Sequence, residues 1–212
     1  MKTIQFSSLV AMVFCCVLTA SGQTWTQTSA PSTNWISIAC SADGSEVVGL
    51  PGNSSRIFAS TNSGSTWMTN SLPSSTTFSC MGLSADSAEL FGAKNNSPSA
   101  VDTSTNLGFT WINRTNFSDV FWSSAAASAN GQILALADDV ATIYISTNSG
   151  IFWKNIIHLP APSSYGAFVT LSASGNTLSV AVCYKGFYST TNLGVTWMTN
   201  NVSGYWRSMA SS

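Results

Sequence analysis

Acid, base and nucleophile chemistry is sparse in this 212-residue chain. Asp138-Asp139 is the only adjacent acidic pair and His158 the only histidine. Neighbouring residues on a strand point to opposite faces, so Asp138 and Asp139 are not expected to share a proton or a metal. Glycoside hydrolysis needs two carboxylates at a set separation across a cleft. Asp119 with Asp138 or Asp139 is the pairing to consider, but nothing in the spacing singles it out. His158 has no second ligand or nucleophile patterned with it, and no G-x-S-x-G elbow occurs. The expectation is no catalytic set, no metal and no cofactor. Aromatic side chains at Trp35, Tyr165, Tyr184, Tyr205 and Trp206 have the chemistry to stack on sugars, or else to pack between sheets.

The elements that position these residues are set by an eight-residue unit present four times. It reads S-T-N-S-G-S-T-W from Ser60, S-T-N-L-G-F-T-W from Ser104, S-T-N-S-G-I-F-W from Ser146 and T-T-N-L-G-V-T-W from Thr190. Each copy separates two runs of β-forming residues, which predicts strand, turn, strand. The amide oxygens of Asn62, Asn106, Asn148 and Asn192 can accept from nearby backbone N–H groups. Gly64, Gly108, Gly150 and Gly194 can take the positive φ that a side chain penalises. Trp67, Trp111, Trp153 and Trp197 lay a large apolar ring beside the turn. All twelve are expected to be structural.

The box tryptophans are spaced by 44, 42 and 44 residues, and stepping back 42 from Trp67 reaches Trp25, the tail of a fifth copy. A period in the forties with four short strands per unit is the signature of a propeller blade. The first strand of each unit is rich in small residues. A turn follows (Ala42-Asp43-Gly44, Ala85-Asp86-Ser87, Ala129-Asn130-Gly131, Ala173-Ser174-Gly175), then a second strand, and the third and fourth strands flank the box. The fold class is therefore all-β: a β-propeller of four-stranded antiparallel blades, about four complete. Blades are placed at 35–70, 78–114, 121–157 and 166–200, with extra strands at 24–28 and 206–211. A first and a fourth strand are not neighbours in a blade. An open arc or a truncated propeller is preferred over a ring of four blades with spare strands.

The box resembles the Asp-box of bacterial neuraminidase repeats, S-x-D-x-G-x-T-W, with Asn standing for Asp in every copy. The resemblance implies a β-propeller whose boxes are peripheral folding elements, and it extends to non-catalytic photosystem II assembly factor propellers. It also supplies a test for sialidase chemistry, which needs three arginines on a substrate carboxylate, a Tyr–Glu pair and an Asp acid. Here Arg56, Arg114 and Arg207 fall at non-equivalent repeat positions, and Glu46 and Glu89 fall near the box end. Arg56-Ile57-Phe58 lacks the proline of the family's R-I-P motif. The xyloglucanases with such boxes need two large propellers, more than this length provides.

Residues 1–22 read as a secretory signal peptide: Met1-Lys2, an apolar run from Ile4 to Leu18, then Ala20-Ser21-Gly22. The run is too short and interrupted for a membrane span. Export to the periplasm, cell surface or medium is the expected localisation, with 23–212 as the mature propeller. Charged residues make up 7% of the chain and net charge is −1, so no basic footprint for nucleic acid exists. Cys40, Cys80 and Cys183 show no metal spacing and are expected to be buried. The expected role is a non-catalytic binding or scaffold module for a glycan or a protein, able to self-associate if the propeller is open; the alternative is a fragment of a secreted glycoside hydrolase. By propeller analogy the ligand face is the loop end opposite the boxes, with Trp35, Arg56, Asp138, Asp139, His158, Tyr165, Tyr184 and Tyr205 as its candidates.

Overall fold

The computed structural model describes residues 27–73, 77–95, 98–160 and 166–211. The expected signal peptide, Trp25 and Tyr165 lie outside them. Among the described residues sixteen strands form four separate four-stranded antiparallel sheets, each in sequence order. The first blade holds β1 (Trp35–Cys40), β2 (Val47–Pro51), β3 (Arg56–Ser60) and β4 (Met68–Ser71). The second holds β5 (Phe78–Leu83), β6 (Leu90–Lys94), β7 (Ser99–Ser104) and β8 (Ile112–Phe117). The third holds β9 (Trp122–Ala127), β10 (Leu134–Asp138), β11 (Thr142–Ser146) and β12 (Lys154–His158). The fourth holds β13 (Ala167–Leu171), β14 (Leu178–Val182), β15 (Gly186–Thr190) and β16 (Met198–Asn200). No helix occurs among the described residues. The architecture is a partial β-propeller.

Blades stack by a repeated face-to-face contact. Val48, Leu50, Ile57 and Ala59 of the first blade bury against Phe78, Met81, Leu83 and Leu90 of the second. Phe91, Ala93 and Val101 meet Trp122, Leu134, Leu136 and Trp153 of the third. Ala135, Ala137 and Ile143 meet Val169, Leu171, Leu178 and Val180 of the fourth. Alternation along each strand sends one set of side chains forward and the other back, so every blade has a forward and a rear face. The turns between first and second strands also join across blades: Ala42 N–H donates to Ala85 O, Asp86 N–H to Ala129 O and Ala129 N–H to Ala173 O.

The box is a hydrogen-bonded knot. Ser60 Oγ accepts from Gly64 N at 2.8 Å, Asn62 Oδ1 accepts from Thr66 N at 2.8 Å, and Trp67 Nε1 donates to Gly64 O at 3.0 Å. The amide nitrogen of Asn62 also donates to Thr66 Oγ1 at 2.9 Å, a bond an aspartate could not donate. Asn106 and Asn192 repeat both contacts; Asn148 keeps the backbone one, onto Phe152 N. The box glycines have φ near +80°, from +78° at Gly150 to +88° at Gly194. The residue before each glycine is left-handed too: Ser63, Leu107, Ser149 and Leu193 have φ between +52° and +55°. That conformation costs an L-residue about 1–2 kcal/mol, and the knot offsets it.

Two expectations change. Residues 201–211 form no strand, so the extra strand expected at 206–211 is not made: a ladder needs a paired neighbour, and none of the described strands pairs with it. Residues 27 and 28, the described part of the expected strand at 24–28, are likewise not in a ladder. Cys40 is exposed, whereas Cys80 and Cys183 are buried; all three thiols are free. Cys40 lies on the rear face of the first blade, which no other blade covers among the described residues.

Candidate functional site

Ile38, Met81 and Val169 are equivalent: each lies three residues before the turn serine of its blade, Ser41, Ser84 or Ser172. Met81 and Val169 are each 4% exposed, but Ile38 is 72% exposed. The rear face of the first blade is thus open, and its aromatic side chains fold over it. Trp35 lies across Gly49, edge-on to Phe58 with centroids 5.6 Å apart and 6.2 Å from Trp67.

Each end of the described chain takes a neighbouring blade's place. The box glycine of a blade touches a side chain of the blade before it: Gly108 meets Ile57, Gly150 meets Thr103 and Gly194 meets Ile156. Gly64 meets Thr28. Thr28 is three residues beyond Trp25, as Ile156 is beyond Trp153, so it stands where a preceding blade's fourth strand would. At the other end Trp206 stacks on Phe187, centroids 4.3 Å apart. Phe187 is equivalent to Ile57 and Val101, which receive Phe78 and Trp122 in the same manner. The Cys183 thiol donates to Trp206 O at 3.2 Å and Tyr184 N–H to Gly204 O at 2.8 Å, fixing the segment there.

Between these ends lies a cavity of about 680 Å³. Its wall draws on the innermost strand of every blade, on the open rear face through Trp35, Ile38, Val47 and Trp67, and on Arg207, Ser208 and Met209. Ser37, Ser79, Ser123 and Ser124 add hydroxyls. The lining contains no carboxylate and no histidine. Burial pushes the Cys80 thiol up to about 12, so it is no nucleophile at neutral pH. This wedge offers aromatic and aliphatic surface with hydroxyl donors and acceptors. It has the means to bind.

The candidates from the loop end divide into small groups. Asp138 is 4% exposed and accepts from Thr142 N at 2.7 Å and Val140 N at 3.1 Å on one oxygen. Burial raises its pKa against those hydrogen bonds. Exposed His158 meets Thr142 Oγ1 through Nδ1 at 3.1 Å, so Asp138, Thr142 and His158 form one chain of contacts. Asp139 is half-buried and spends backbone groups on Phe121 and Gly166. Tyr184 and Tyr205 are half-exposed and tilted together, 5.5 Å apart, with Arg207 over Tyr205 at 4.5 Å. Arg56 is exposed on the first blade. Of all these, only Trp35 reaches the wedge. Among the described residues no three His, Cys, Asp or Glu side chains gather as a metal site.

Sequence reasoning placed the ligand face at the loop end and so missed Ile36, Ile38, Ser79 and Met209. A buried pair also went unseen, Lys94 with Asp102 at 3.4 Å, where Asn113 donates to the same carboxylate at 2.7 Å.

No family model matches the chain, and no curated protein matches it either. Solved structures do. The GH74 enzyme of Niastella koreensis superposes with a TM-score of 0.65 at 20% identity, over 81% of this chain and 25% of that one. YCF48 from Cyanidioschyzon merolae gives 0.63 at 16% identity, over 89% and 63%. A chain of a nidogen/laminin complex gives 0.69 at 12% identity, over 84% and 68%. These neighbours are β-propeller proteins, and at such identities the likeness concerns the fold. The chain spans about a quarter of the GH74 enzyme. No helix of the described residues is long and apolar enough to cross a membrane.

Proposed function

We propose that this chain is an exported Asp-box propeller arc serving as a non-catalytic binding module, and that the wedge is its ligand site. One observation carries the reading. The cavity that all four blades build is lined by Trp35, Trp67, aliphatic side chains and serine hydroxyls, with no carboxylate or histidine to move a proton. Such a surface suits sugar rings, which stack on indoles, and equally suits polypeptide. In all four boxes the Asn oxygen accepts from the backbone N–H four residues on, which supports the Asp-box assignment, and Asn keeps the acceptor that the turn requires. The apolar leader ahead of Gln23 supports export.

The likeness to a GH74 enzyme keeps a second reading in view, a piece of a larger glycoside hydrolase. The two separate in one experiment. The purified chain is titrated with an oligosaccharide panel while tryptophan emission is followed, and reducing-sugar release is measured in parallel. The binding-module reading expects saturable emission changes lost in Trp35→Ala, and no sugar release. Hydrolysis that disappears in Asp138→Asn would replace it with the enzyme reading.

A further inference from the structure

Tyr184 is held in the left-handed region at φ +60°, a strained conformation for an aromatic residue. It is the second residue past the second strand of its blade, the place that Asn53 holds in the first blade at φ +54°. Asparagine meets such a turn at lower cost. The turn therefore does not account for the tyrosine. Burial does not account for it either, since 47% of the residue stays in solvent. Strain kept at an exposed side chain points to a use for that side chain.

A clamp holds the strained turn against the segment that follows the blade. Tyr184 N–H donates to Gly204 O at 2.8 Å, Ser203 Oγ donates to Tyr184 O at 3.3 Å, and the Cys183 thiol donates to Trp206 O at 3.2 Å. These bonds set the rings of Tyr184 and Tyr205 5.5 Å apart at 42°, with Tyr205 49% exposed. Arg207 lies over Tyr205 at 4.5 Å, and Lys185 follows Tyr184 directly. Both cations are exposed, and neither makes an ion pair among the described residues.

We propose that this platform, on the fourth blade beside the β14–β15 turn, is a subsite for a uronate. The C–H face of the acidic sugar ring stacks on the tyrosines, and its carboxylate is received by Arg207 and Lys185. The planar guanidinium fork matches a carboxylate with two parallel N–H donors. Arg207 also lines the wedge, so the subsite adjoins it. The proposal rests on the reading of this chain as a binding module and gives its ligand a charge.

The probes are tetragalacturonate and neutral cellotetraose, each titrated calorimetrically into the full chain at low salt. Tetragalacturonate should bind saturably and at least tenfold more tightly than cellotetraose, and about 0.5 M sodium chloride should remove most of that margin. Arg207→Gln and Tyr184→Asn should each weaken its binding at least tenfold. The Tyr184→Asn protein should melt no lower than the parent, because asparagine suits the turn; a clear drop would make the tyrosine a packing residue and overturn the proposal. Equal affinity for the two sugars, or binding of the acidic one untouched by both substitutions, overturns it. A tetra-aspartate peptide bound as tightly as tetragalacturonate overturns it too, because that would be charge without stacking. Cellotetraose binding that is lost in Trp35→Ala, with no preference for the acidic sugar, removes the proposal and leaves the wedge as a binding site. Failure of both sugars removes it together with the sugar reading of the wedge.

Discussion

Ile38 and Met81 occupy one position of the repeat, on strands that pair alike with Gly49 and Gly92, yet solvent reaches 72% of one and 4% of the other. The repeat determines which residue type stands at a position and which way it points. The neighbour determines whether that residue contributes to stability. An apolar side chain conserves free energy only when water is removed from it, at about 25 cal/mol per Å². The first blade carries the same investment in Trp35, Ile36 and Ile38 without that return inside its own described chain.

The largest expected effect follows directly. Met81→Ala should cost about 2–5 kcal/mol, the range for emptying a filled core position. Ile38→Ala should stay within about 0.5 kcal/mol, as exposed substitutions do. Urea midpoints of the two variants decide this. Equal losses would mean that the first blade's rear face is covered in solution, and the contrast drawn here would fail.

Glycine at the partner position sharpens the same contrast. A methyl group on Gly92 would run into the Phe78 ring, which is 2% exposed and has nowhere to go. Gly92→Ala should therefore cost about 1–3 kcal/mol through overpacking. A methyl group on Gly49 meets the Trp35 ring, 37% exposed and free to swing outward. Alanine is also favoured over glycine inside a strand by roughly 0.5–1 kcal/mol. Gly49→Ala should leave thermal stability unchanged or slightly raised, while the Trp35 emission shifts to the red. A large loss there would show that the ring is held in place.

Much of this was legible from residue types. The box defined each third-to-fourth turn, and its recurrence counted out four four-stranded units. The turn before the second strand was legible from Asp-Gly and Asn-Gly pairs. Its full grammar was not: Ser41 and Ser84 donate to Asp43 and Asp86 and accept from Glu46 N and Glu89 N, a serine role hidden in a serine-rich chain. Left-handed Leu107 and Leu193 could not be read from side chains that disfavour the conformation. The strand at 206–211 was over-read, because its likeness to 35–40 reports side-chain pattern, and a ladder also needs a partner strand. The wedge was not legible for a related reason: a pattern repeated in every blade does not reveal which face another blade will cover.

A third test is one in which the two regions should stop differing. The bond to the Asn oxygen closes within the box, so the cost of breaking it ought not to depend on what lies behind. Asn62→Ala and Asn106→Ala each remove the acceptor for the N–H at Thr66 and Thr110. Each should cost about 0.5–2 kcal/mol, as loss of a turn-capping oxygen does. Asn106→Asp should cost less, since its oxygen still accepts from Thr110 N. A loss confined to Asn106→Ala would show that the box depends on the neighbouring blade.

The smallest effect separates Glu46 from Glu89, again one repeat position in two blades. Glu89 is 6% exposed, its Oε1 has no hydrogen-bond partner among the described residues, and burial raises its pKa against the Thr103 hydroxyl and the Arg114 charge. A carboxyl whose folded pKa is raised binds its proton more tightly when folded. Stability is then lost as pH rises from the ordinary value of 4.5 through the raised one. Glu89→Gln keeps the shape and removes the charge, so it should be more stable than the parent at pH 7. The gain should shrink as pH falls and vanish below the unfolded-state value. Glu46→Gln, on the half-buried equivalent, is the control and should show no such gain. Melting temperatures of the three proteins between pH 3.5 and 8 decide it. If the Glu89→Gln protein is the less stable at pH 7, then attraction to Arg114 outweighs desolvation, and the second blade's interior tolerates a charge better than its burial implies.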